Sequence, residues 1–129
     1  MPSLFSRIIA GEIPCHKIAE NDEFLAFLDI MPLAKGHTLV IPKVETDYIF
    51  DIDDEAYARF WLFAKSVAKQ IEAKIPCKKM GISVIGLEVA HAHIHLVPLH
   101  QGEDMNFSRA KMQVSQDELT ELARLLSAQ

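Results

Sequence analysis

The chain has 129 residues, half of them hydrophobic and about a quarter charged, a balance that fits one globular domain over residues 1–129 and excludes a low-complexity polypeptide. Thirteen Lys and Arg against 18 Asp and Glu leave a formal charge of −5, the wrong sign for gripping a nucleic-acid backbone, although a few local donors can still hold one small anion. No apolar run approaches the roughly 20 residues of a membrane span, since Phe24 to Ala34 is broken by Asp29 and Pro32.

Met1-Pro2-Ser3-Leu4 offers neither a cationic nor an apolar leader region, so a cytoplasmic location is expected, with Cys15 and Cys77 as free thiols. Ser3 then caps a short helix whose Leu4, Phe5, Ile8 and Ile9 recur at helical spacing, and Gly11 provides its left-handed exit. Residues 16–20 and 23–29 read as a strand pair around Asn21-Asp22, the second strand being apolar enough to be buried on both faces. A turn over Pro32 to Gly36 leads into a third strand, Thr38 to Ile41, stopped by Pro42.

Asp51, Asp53 and Asp54 mark the start of a long helix with Phe60, Phe63, Ala64, Val67, Ala68 and Ile71 as its apolar stripe. Lys74 to Lys79 reads as a solvated loop. Met80–Ile85 and Val89–Pro98 read as two further strands. Ser115 to Glu118 matches a capping box, with Val114 and Leu119 as its hydrophobic staple and Leu119, Leu122, Ala123 and Leu126 as the buried face. The whole predicts an α+β fold with a mostly antiparallel sheet of about five strands, one long helix and two shorter ones.

Three of the six histidines alternate in His91-Ala92-His93-Ile94-His95. On a strand this puts His91, His93 and His95 on one face at about 6.6 Å intervals, while Ala92, Ile94 and Leu96 point into a core. Three readings are open. The row is a solvent-facing ridge, or part of it joins His37 in a metal site, or it carries nucleophilic chemistry. Three histidines in a straight row cannot all converge on one tetrahedral ion. A neutral imidazole attacks phosphorus well if its far nitrogen keeps a proton on a backbone carbonyl, and neighbouring histidines can then donate to phosphate oxygens. Neither GxxxxGK[ST] nor GxSxG occurs to compete for that chemistry.

The pattern His91 to Val97 resembles the signature of the histidine triad (HIT) superfamily, in its HINT-like branch. The likeness extends to Leu4-Phe5 through Gly11-Glu12-Ile13-Pro14 and to the run FLAFLDIMPLAKGHTLVIPK over residues 24–43, and it weakens from about Pro98 onward. It implies that His93 is the nucleophile of a covalent nucleotidyl intermediate. His91 and His95 would orient it and contact phosphate or leaving group, and His37 would support the row. Asp29 would accept from the ribose hydroxyls, with Leu4, Phe5, Ile8, Phe27, Leu28 and Ile30 around the base; read by itself, Asp29 could equally be a turn former before Pro32.

The implied function is hydrolysis or transfer at a phosphorus-linked nucleotide such as a nucleoside phosphoramidate, an adenylylated amine or a dinucleoside polyphosphate. The implied partner is a purine nucleotide or conjugate, the implied assembly a homodimer, and the scheme requires no metal and no cofactor. Two departures stand out. Ser3 and Ser6 occupy the places of the CxxC that zinc-binding relatives carry, which argues against structural zinc. Gly86-Leu87-Glu88 stands where many relatives have a Gly-Gln-Ser or Gly-Gln-Thr phosphate loop, so that Leu87 takes the Gln position and Glu88 the hydroxyl position, with Val89 following as a further expected nucleotide contact; a carboxylate beside an anion weakens binding unless it is turned away or protonated. That departure keeps a second expectation open, a nucleotide-binding module with little or no catalysis.

Overall fold

Among the described residues the strands are β1 (Lys17–Glu20), β2 (Phe24–Leu28), β3 (Thr38–Pro42), β4 (Lys79–Ser83) and β5 (Ile94–Leu99), and the helices are α1 (Leu4–Ile9), α2 (Asp54–Glu72) and α3 (Gln116–Ser127). The five strands hydrogen-bond into one sheet in the order β1-β2-β3-β5-β4, every neighbouring pair antiparallel. The computed structural model describes residues 2–127, so the ends of the predicted 1–129 domain lie outside the described residues. Single 3-10 turns at Ile49–Asp51 and Gly102–Met105 complete the elements. This is the α+β architecture expected from the sequence.

Strand alternation divides the apolar residues between two cores. Phe24, Ala26 and Leu28 of β2, Val40 of β3 and Ile94 and Leu96 of β5 face one side, where Phe60, Ala64, Val67 and Ile71 of α2 and Leu119, Ala123 and Leu126 of α3 cover them. Leu25, Phe27, Leu39 and Ile41 face the other side, where Phe5 of α1 packs on them. Both faces of β2 and β3 are therefore dry, which is why these strands read as continuous apolar runs rather than alternating ones. The short α1 leaves part of the second face open, and the histidines are on that side.

Local signals act where expected. Asn21 Oδ1 accepts from the amides of Glu23 and Phe24 and closes the β1–β2 turn at 2.9 and 2.8 Å. Asp53 caps α2 by accepting from Ala56 N–H. Ser115 Oγ accepts from Glu118 N–H at 3.1 Å and its own hydroxyl lies 3.2 Å from the Glu118 carboxylate. Gly36 has φ of +96°, and a Cβ there would meet Pro98 at 3.3 Å, so the residue that delivers His37 to β3 must be glycine.

The last two strands are shorter than predicted. Ladder pairing of β3 with β5 ends at Val40↔Ile94, the chain bends over residues 87–91, and residues 92–93 join no ladder. The reasons are local: Pro42 has no N–H to give a partner strand, His91 N–H bonds to Val89 O at 2.8 Å, and Ala92 N–H bonds to Thr46 O at 2.6 Å. Only His95 of the row belongs to a strand. β4 likewise stops at Ser83, short of the expected Ile85.

Candidate active site

His91, His93, His95 and His37 are all buried, which overturns the reading of the row as a solvent-facing ridge. Burying neutral imidazoles is tolerable only if their nitrogens find partners, and those partners fix where each proton sits. His93 Nδ1 lies 2.8 Å from the His91 carbonyl oxygen. A carbonyl only accepts, so Nδ1 carries a proton, and the neutral form of the ring has its lone pair on Nε2. The same argument puts the His91 proton on Nε2, which donates to Pro42 O at 2.8 Å, while His91 Nδ1 accepts from Ser3 Oγ at 2.7 Å.

A second chain of bonds runs through His37. Leu33 N–H donates to His37 Nδ1 at 3.0 Å, so the His37 proton is on Nε2, 3.0 Å from His95 Nδ1. His95 therefore accepts at Nδ1 and carries its own proton on Nε2. Burial pushes the His37 pKa down to about 4 and that of His95 down to about 3, so both rings are neutral at pH 7. The 3.6 Å contact of His37 Nε2 with Asp29 Oδ2 is accordingly no ion pair. Asp29 Oδ1 accepts from Met31 N–H at 2.9 Å, and burial raises its carboxyl pKa against that bond.

His93, His95 and His37 line a cavity of about 530 Å³. Leu4, Phe5 and Ile8 of α1 line it together with Phe27 and Leu28 of β2 and Asp29 and Ile30 just beyond that strand. Glu88 and Val89 approach from the bent segment. The Phe5 ring stands edge-on to His93 at 5.0 Å and to Phe27 at 5.7 Å, tying the apolar wall to the row. The size suits a nucleoside-sized ligand, and the lining is mostly apolar with a few polar side chains.

His91 stands apart from the others. The resemblance implied that its ring meets phosphate or leaving group, but that ring is fully buried outside the cavity lining and both its nitrogens are occupied. What it gives the site is its carbonyl.

Known proteins resemble this chain over most of its length. The family model described as HIT domain matches residues 10–102. The chain belongs to the HIT family. An uncharacterized HIT-like protein of Borreliella burgdorferi is 33% identical over 132 residues, covering 96% of this chain and 95% of that protein. A crystal structure of a HIT-like protein from Bartonella henselae, described as involved in cell-cycle regulation, superposes with a TM-score of 0.85 at 28% identity over 97% of this chain and 93% of that one. A HIT family hydrolase from Legionella pneumophila superposes with a TM-score of 0.65 at 34% identity, covering 74% and 90%.

Within this HIT fold, several residues that sequence reading passed over reach the site. Ile13, Pro14, Cys15, Met31, Leu39, Phe107 and Lys111 also line the cavity. Phe107 packs edge-on against His95 at 4.7 Å from a segment with no periodicity to flag it. Ser3 was legible as a helix cap but not as the partner of His91, and Glu45, which accepts from Ser3 N–H and Ser6 Oγ at 2.6 Å each, carried no signal at all. Those contacts staple α1, and so the apolar wall, to the loop after β3.

Asp29, His37 and His95 bring one potential ligand atom each within 4.8 Å of one another, which raises the question of a metal. The proton positions answer it. His37 could ligate only through Nε2, and freeing that nitrogen would put its proton on Nδ1, directly against the Leu33 N–H. The donor set does not fit a divalent ion as it stands.

Proposed function

We propose that this protein hydrolyses a phosphorus-linked nucleotide through a covalent nucleotidyl intermediate on His93. What carries the reading is the 2.8 Å bond from His93 Nδ1–H to the His91 carbonyl, because it leaves Nε2 as an unprotonated nucleophile on a ring that lines a nucleoside-sized cavity. Nε2 attacks the α-phosphorus, a P–N bond forms, and the bond to the leaving group breaks with its electron pair. The leaving group takes its proton from solvent. Water then attacks the same phosphorus, the P–N pair returns to Nε2, and a nucleoside monophosphate departs.

The neutral His95 Nε2–H is the fixed donor for oxygen charge that develops at phosphorus, and its orientation is inherited from Leu33 through His37. Asp29 accepts from the ribose hydroxyls, and the α1 and β2 walls hold the base. Substrates are nucleoside phosphoramidates, adenylylated amines or dinucleoside polyphosphates of purines. The family likeness and the Legionella hydrolase support hydrolysis as the reaction class. A homodimer is part of the proposal too: β4 lies at the sheet edge, and Ile82, Ile85 and Leu87 on and beyond it are exposed apolar side chains.

The experiment is a turnover assay with an adenosine phosphoramidate, in which His93→Ala abolishes activity; wild-type turnover in the variant rejects the mechanism. A second reading, a binding module with little catalysis, is favoured by one observation. Glu88 brings an acidic side chain to the cavity and Leu87 is 88% exposed, so neither offers the hydroxyl or amide donor that phosphate takes. Nucleotide binding without turnover in the wild type would select it.

A further inference from the structure

The cavity is short of cations. Asp29 and Glu88 bring acidic side chains to it, and burial keeps His37 and His95 neutral at pH 7. None of these four supplies the positive charge that holds a phosphate well. Among the described residues that line it, Lys111 is the one lysine or arginine.

Lys111 is also held in place. Its ammonium donates to Phe107 O at 2.6 Å and to Arg109 O at 3.2 Å, which uses two of its three N–H bonds and leaves the third free. The segment that carries it is pinned at both ends of the wall: Met112 N–H donates to Pro32 O at 2.9 Å, and the Phe107 ring stands against His95. Its field reaches the reacting end of the cavity, since it acts on both Asp29 and His37. A lysine whose only task was to tie up loop carbonyls would have no need to face the cavity.

We propose that Lys111 is the phosphate-binding cation of this site, its free N–H taking an anionic oxygen of the bound nucleotide. The proposal rests on the nucleotide reading above. It also accounts for how a cavity lined by Glu88 can hold an anion: the positive charge comes from the segment after β5 instead.

The test is calorimetric binding of adenosine monophosphate and of adenosine to the full-length wild type, Lys111→Met and Lys111→Arg. Loss of one charge-assisted hydrogen bond should weaken adenosine monophosphate by about tenfold or more in Lys111→Met. Adenosine, which has no phosphate, should bind both proteins alike, and Lys111→Arg should recover most of the lost affinity. Unchanged adenosine monophosphate binding in Lys111→Met overturns the proposal and leaves the nucleotide reading standing. Equal losses for both compounds also overturn it, because they show that Lys111 only shapes the loop. A wild type that binds neither compound removes the nucleotide reading and this proposal together.

Discussion

His37 Nε2 and His95 Nδ1 lie 3.0 Å apart in the buried floor of the cavity, and the Leu33 amide on the far side of His37 dictates which of them owns the shared proton. His95 is thereby held as a neutral donor toward the reacting centre. His37→Leu breaks the chain and lets His95 choose the other tautomer. The expected result is a fall in kcat of roughly 10- to 100-fold with KM little changed, as for loss of a transition-state hydrogen bond. His37→Gln, whose amide can accept from Leu33 and donate to His95, should recover part of the loss in steady-state kinetics.

Ser3 joins two parts of the protein through one hydroxyl. It accepts from Ser6 N–H as the cap of α1 and donates to His91 Nδ1, a contact across 88 positions of sequence. Ser3→Ala removes the cap and orphans a buried ring nitrogen. Together these should destabilise the protein by about 2 kcal/mol, read as a drop of roughly 5–10 °C in melting temperature. Ser3→Thr keeps the hydroxyl and should stay close to wild type in the same thermal scan.

The buried histidines also set a pH dependence of stability. His37 and His95 titrate near 4 and 3 when folded, against about 6.5 when unfolded. Between those limits the unfolded chain binds protons that the folded chain does not, so stability rises with pH. Their contribution is complete above about pH 6.5 and is lost as pH falls through 4 to 3, with a slope of about 1.4 kcal/mol per pH unit for each histidine mid-window. Asp29, its pKa raised by burial, acts with the opposite sign. Urea midpoints should hold from pH 7.5 to about 6.5 and then fall toward pH 4.5, less steeply in His37→Gln.

How much of this was legible in the sequence depends on whether the signal was local. The β2 run from Phe24 to Leu28 and the Asp53 cap are written in neighbouring residues, and both elements form where the pattern places them. The bent segment before β5 was misread because Ala92, Ile94 and Leu96 alternate as a strand would. Its backbone bonds, however, go to Val89 and Thr46, which alternation cannot reveal. At the site, the α1 and β2 walls were legible from apolar spacing and resemblance. Lys111 and Phe107 were not, since they come from a segment without periodicity and reach the cavity only through the tertiary fold. The outward turn of the His91 ring's role, from ligand contact to carbonyl support, follows from Ser3 and Pro42, distant partners that no spacing rule names.

The central claim is that His93 Nε2 becomes bonded to phosphorus. Its direct measurement is mass spectrometry of the protein quenched in acid-free denaturant within the first turnover of an adenosine phosphoramidate, followed by peptide mapping. A mass increase of one adenylyl group on the peptide containing His93, absent in His93→Ala, is the predicted result. Turnover in which no labelled protein accumulates even when the second step is slowed, together with an active His93→Ala variant, would contradict it.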